Sequence, residues 1–239
     1  MKGLRRYLAL GLCACLTASA LAFDHKGLSL ILQDYVKDGK VDYAGLKASR
    51  LKDLKGYVES LGSVRPDDLP HRERVAFWLN AYNAIVILQI CQGGTPATAG
   101  SRSQFFRNSN HLVAGELRSL DDIEHRALRP LAKDPRVHFV LVCGANSCPP
   151  LKAEAFVGSA DLEASLEAAA QSYINDPNNV QVDLAKRTLT LNKIFDWYQD
   201  DFGDLVPFVA RYRPEREDLL KGQWTVQFRD YDWSVNQAP

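Results

Sequence analysis

The chain has 239 residues with 29 basic and 29 acidic side chains, so it carries no cationic excess for a nucleic-acid backbone. Its length suits one large domain with a substantial core. No segment after the N-terminal stretch is apolar enough throughout to span a bilayer, because the run 75–90 is interrupted by Asn80, Asn83 and Gln89.

Lys2, Arg5 and Arg6 precede an apolar stretch from Tyr7 to Ala18, and Ala20-Leu-Ala22 is a small-x-small cleavage signal. This pattern predicts a secretory signal peptide over 1–22, a globular domain over 23–239, and a periplasmic or secreted location. Acylation at Cys15, as in a lipoprotein, is the weaker alternative because the apolar run before it is short. Cys91, Cys143 and Cys148 remain after cleavage, which allows one disulfide and one leftover thiol.

In chain order, Asp24 is placed to cap a helix over 26–37 that ends at Gly39, and 46–61 has amphipathic helical spacing. The segment 71–92 is apolar nearly all round, the pattern of a helix buried on every side. Asn80 and Asn83 sit three apart within it and need partners, either the backbone of a neighbouring loop or a ligand in a pocket. A Gly/Thr/Ser loop over 93–102 follows, then a hairpin over 111–117. Ser119 caps a helix over 120–128 that carries Glu124 and His125. The apolar run 137–143 predicts a buried strand. Helices are expected over 160–174, 193–202 and 205–213, a hairpin over 180–191, and a strand over 223–228. Helices wrapped on a small, mainly antiparallel sheet make an α+β fold.

Cys148 precedes Pro149-Pro150. A residue before proline is pushed out of the α region, whereas proline suits the first helical position. Cys148 is therefore expected to cap a helix over 149–156, whose dipole would favour a thiolate. Such a nucleophile needs a base, for which His125 is the candidate. Two other readings stay open: a Cys143–Cys148 disulfide, or a redox or metal pair. His138 is expected to be structural. Calcium-loop, phosphate-loop and Gly-x-Ser-x-Gly patterns are absent, as is paired zinc-type spacing, so no cofactor and no metal is implied.

Five motifs together resemble the family catalogued as domain of unknown function 547. They are Arg74-Val-Ala-Phe-Trp-Leu-Asn-Ala-Tyr-Asn-Ala84, Ser119-Leu-Asp-Asp-Ile-Glu-His125, His138-Phe-Val-Leu-Val-Cys-Gly-Ala-Asn-Ser-Cys-Pro-Pro-Leu151, Phe195-Asp-Trp-Tyr-Gln-Asp-Asp-Phe202 and Tyr231-Asp-Trp-Ser-Val-Asn236. The resemblance implies that Asn80, Asn83, Glu124, His125, Arg129, Cys143, Cys148, Trp197, Tyr198 and Asp201 belong to the family's pattern. Arg126 stands where the family often has glycine, which implies a narrower cleft here.

Asn, Glu-His and Cys are the residue set of a Cys-His-Asn hydrolase. The leading expectation is therefore a thiol-dependent hydrolase or acyl transferase. Cys148 would be its nucleophile and His125 its base, with Asn80, Asn83 and Glu124 supporting them. Cys143, Arg129, Trp197 and Tyr198 would contact substrate. The alternative is a non-catalytic binding module in which a Cys143–Cys148 disulfide stiffens a recognition loop beside Trp197 and Tyr198. Either reading takes a small molecule or peptide as partner, and neither assigns an oligomeric state.

Overall fold

The computed structural model describes residues 22–158 and 160–239, so the expected signal peptide lies outside the described residues except for Ala22. One helix, α4 (His71–Cys91), runs through the middle, and every residue from 75 to 89 is buried. Its asparagines and glutamine do not take it below the length and apolarity of a membrane-crossing helix, contrary to the expectation from sequence, but 89% of its most apolar window is buried inside the fold, as in a core helix. Three shorter helices pack on it or on one another: α1 (Lys26–Tyr35), α2 (Tyr43–Ser49) and α3 (Leu51–Ser60). Asp24 accepts from the Lys26 N–H at 2.8 Å, which satisfies one free donor at the start of α1.

The expected helix over 46–61 is two helices, because Arg50 leaves helical geometry at φ −129° and ψ 11° between α2 and α3. Helix α1 stops at Tyr35 instead of 37. There β1 (Val36–Lys37) turns through Asp38-Gly39 to pair with β2 (Lys40–Val41).

The strands form small separate sheets. β3 (His111–Val113) and β4 (Glu116–Arg118) make the expected hairpin. β5 (Val180–Asp183) pairs antiparallel with β6 (Thr188–Leu191), and β7 (Thr225–Phe228) joins β6 in parallel. The fold is thus mixed α+β, with helices packed around small, mainly antiparallel sheets. α8 (Ala160–Asn175) covers the last sheet with a second buried cluster built on Phe139, Tyr173, Phe195 and Phe202.

Two expected elements are absent. The run 137–143 is not a strand: Pro135–Phe139 is a 3-10 turn, and the chain continues without sheet pairing to Gly144. No helix forms over 149–156 either. Instead the Leu151 N–H bonds the Gly39 carbonyl at 3.0 Å, drawing the Pro149-Pro150 segment against the β1–β2 turn. Gly39 has φ +76°, and a Cβ there would run into Pro150.

Candidate functional site

Cys143 and Cys148 are joined by a disulfide. This corrects the leading expectation, since a bridged sulfur is not a thiolate nucleophile. Without a helix over 149–156, Cys148 is not a helix cap and the expected helix dipole does not face its sulfur. Both sulfurs are half-buried, and the Tyr231 hydroxyl lies 3.3 Å from Cys143 Sγ and 3.2 Å from Cys148 Sγ. The Cys143 N–H points at Cys148 Sγ from 3.0 Å.

The C-terminal tail holds this loop in place. Asn146 and Ser147 N–H groups donate to the Ser234 and Asp232 carbonyls at 2.8 and 3.1 Å, and the Asn236 N–H donates to the Gly144 carbonyl at 3.0 Å. Cys91, the free cysteine among the described residues, is buried on α4, and burial pushes its thiol up to about 11.

Asn80 and Asn83 act as backbone clamps. Asn80 donates to the Phe156 carbonyl at 2.8 Å and accepts from the same residue's N–H at 2.9 Å. Asn83 donates to the Val140 carbonyl at 3.0 Å and accepts from the Val142 N–H at 2.9 Å. Each carboxamide thus replaces a strand partner for a buried segment that has none.

The segment bearing Glu124 and His125 begins as expected. Ser119 and Asp122 form a reciprocal cap at the start of α6 (Leu120–Asp122). The helix then widens into a π turn over Ile123–Leu128, with the Arg129 N–H bonded to the Glu124 carbonyl, before α7 (Arg129–Ala132). Pro130 has no N–H and its ring crowds the carbonyl four residues back, so a wider turn relieves the clash. A second π turn, Gln104–Asn108, follows α5 (Ala99–Ser103).

Arg129 grips Asp201 with two bonds of 2.7 and 2.9 Å, and His138 Nε2 meets the same carboxylate at 2.7 Å. The Arg129 guanidinium holds Asp201 down at about 2, helped by His138. Burial lowers His138 to about 4 despite that carboxylate, so at neutral pH the contact is a hydrogen bond from a neutral ring. Arg129 also donates to His125 Nδ1 at 2.7 Å; a guanidinium cannot accept, so the ring proton of a neutral His125 sits on Nε2, 3.5 Å from Asp121.

Tyr198 lies between α9 (Ile194–Trp197) and α10 (Gln199–Phe202), where the helix expected over 193–202 breaks at φ −118° and ψ 27°. The break lets its ring stack on His138 at 3.8 Å. Glu124 is buried against Tyr82 and Tyr198, and desolvation raises its carboxyl above the usual range.

These groups open onto a cleft of about 520 Å³. One wall is aromatic: Tyr231 is 4.8 Å from Trp197 and 4.7 Å from Trp233, with Arg102 over Trp233 at 4.5 Å. Trp197 is 43% exposed. Arg102, Phe106 and Arg107 come from α5 and the π turn after it, and the two cysteines, Glu124, His125 and His138 also line the cleft.

Residues 66–174 match the model of a family described as protein of unknown function, DUF547. No curated protein and no solved structure matched the chain. The matched DUF547 segment contains Tyr82, Arg102, Glu124, His125, His138 and the disulfide. The aromatic wall of Trp197, Tyr231 and Trp233 comes from beyond it, as do Tyr198 and Asp201.

The structure therefore brings Glu124, His125, Cys143, Cys148, Trp197 and Tyr198 to one cleft and leaves Asn80 and Asn83 beneath it as supports. Arg129 acts from behind through His125 and Asp201. Arg126 does not narrow the cleft: its side chain is 79% exposed and pairs with Asp122. Sequence reading passed over Tyr82, Arg102, Phe106 and Arg107 and gave His138 a structural place only. Asp201 and the 231–236 segment were visible as motifs without a role. Among the described residues, no group of three or more His, Cys, Asp and Glu is placed to hold a metal ion.

Proposed function

We propose that the chain is a binding module of an oxidising, extracytoplasmic compartment, whose cleft takes a small molecule or peptide with an exposed ring or other flat apolar face. The aromatic wall carries this reading: three large rings at 4.7–5.5 Å from one another stand in a concave surface, with Trp197 partly open to solvent. Glu124, whose carboxyl is raised above the usual range by burial, offers hydrogen-bonding oxygens at the floor, and Arg102 and Arg107 supply positive charge at the side. The disulfide stiffens the loop on which part of the wall rests, which lowers the ordering cost of binding. The conditions that form disulfides fit the location expected from the N-terminal sequence.

A ligand-observed NMR screen of aromatic fragments and tripeptides tests the reading. Binding to the intact protein that is lost in both Trp197→Ala and Trp233→Ala is the expected result. Absence of any binder, or binding that survives both substitutions, would refute it.

A further inference from the structure

We infer that the Cys143–Cys148 disulfide is a thiol-exchange site, open to thiol-bearing molecules that enter the cleft. The bridge joins residues only five apart, so it removes little entropy from the unfolded chain and is a weak staple. Backbone bonds from the tail already hold the same loop. Yet both cysteines sit in the wall of the cleft, half-buried instead of sealed in the core. Exposed disulfides are the ones that exchange.

The polar contacts differ between the two sulfurs and give the reaction a direction. Cys148 Sγ has two donors, the Cys143 N–H at 3.0 Å and the Tyr231 hydroxyl at 3.2 Å. Among the described residues, Cys143 Sγ has only the shared hydroxyl, at 3.3 Å. Negative charge is therefore better stabilised on Cys148, which makes it the leaving sulfur and Cys143 the sulfur attacked.

An incoming thiolate bonds to Cys143 Sγ while the S–S electron pair departs onto Cys148 Sγ, giving a mixed disulfide and a Cys148 thiolate. A second thiolate attacks the outer sulfur of that mixed disulfide and releases Cys143 as a thiolate. Two thiols are oxidised to one disulfide; the bridge takes up their two electrons, and their two protons end on Cys143 and Cys148. Trp197, exposed beside Tyr231, gives a ring next to the incoming thiol something to stack on.

This inference goes beyond ligand binding and stands without it. The test measures how fast the bridge opens in the folded protein, by alkylation and mass mapping, with reduced glutathione in one arm and a Trp-Cys peptide in the other. The reference is the same bridge in urea-unfolded protein. Opening in the folded protein should be at least about tenfold faster than in the reference. Tyr231→Phe, which keeps the ring, should slow it by roughly fivefold.

In Cys148→Ser, the disulfide form of the same probe should leave its adduct on Cys143. Faster opening by the peptide, lost in Trp197→Ala, would assign peptides as the reactants; equal rates would assign small thiols. Opening no faster than in the unfolded chain, or a Tyr231→Phe rate equal to the parent's, would overturn the inference.

Discussion

Asn83 holds the chain at two residues with one side chain, donating to the Val140 carbonyl and accepting from the Val142 N–H. The run leading to Cys143 is therefore suspended from the central helix by a carboxamide, where a strand would be held by a neighbouring strand. Substituting Asn83 by Ala leaves both a buried carbonyl and a buried N–H without partners. The expected loss is about 2–4 kcal/mol, read from urea unfolding. Asn83→Asp should cost at least as much, because it keeps the acceptor but buries a charge or an extra proton where a donor is needed.

Gly144 and Ile90 form a second support for the loop. Gly144 has φ +83°, and a Cβ there would stand 2.5 Å from Ile90 Cδ1. Gly144→Ala should destabilise by roughly 2–4 kcal/mol, the sum of left-handed backbone strain and overpacking. In an Ile90→Ala background the worst clash is gone and only the Val86 Cγ1 approach at 3.2 Å remains, so the same substitution should cost less, about 1–2 kcal/mol. Equal costs in the two backgrounds would show that the loop does not rest on α4 here.

Acid should weaken the fold well before the carboxylates titrate. Burial pushes both His25 and His138 down from 6.5 to about 4. The unfolded chain takes up these protons near pH 6.5 and the folded chain only near 4, so stability is highest above that window and falls as pH drops through it. His138→Gln should remove about half of that slope, since His25 remains. Asp201, held at about 2 against 3.8, adds a further loss as pH falls from about 4 toward 2. Unfolding midpoints measured from pH 7 to pH 3 in both proteins check these slopes.

Much of the fold was legible because its signals are local. The all-round apolar pattern of α4, the Ser119–Asp122 cap and the period-two hairpins each appear within a short window of sequence. The run 137–143 misled because an apolar run records burial, not its hydrogen-bond partner; here the partners are Asn83 and turn carbonyls. Cys148-Pro149-Pro150 fitted a helix start by local rules, but the Leu151 N–H is committed to Gly39 across more than a hundred residues. The cleft was half legible for the same reason. Glu124, His125 and the cysteines stand out in motifs, whereas Tyr231 and Trp233 reach the site only through tail-to-loop bonds that no nearby residue announces.

Trp197 separates binding from stability. Because 43% of it is exposed, Trp197→Ala should move the unfolding midpoint little, by no more than about 1 kcal/mol. The same change removes a face of the aromatic wall and should abolish fragment binding. A large stability loss would instead make this ring part of the packing.

The most direct measurement is the bonding state of Cys143 and Cys148 in protein purified without reductant. Alkylation before digestion should leave both unmodified and joined within one peptide that lacks two hydrogens, while Cys91 reacts only after unfolding. Alkylation of both Cys143 and Cys148 in the native, unreduced protein would contradict the account.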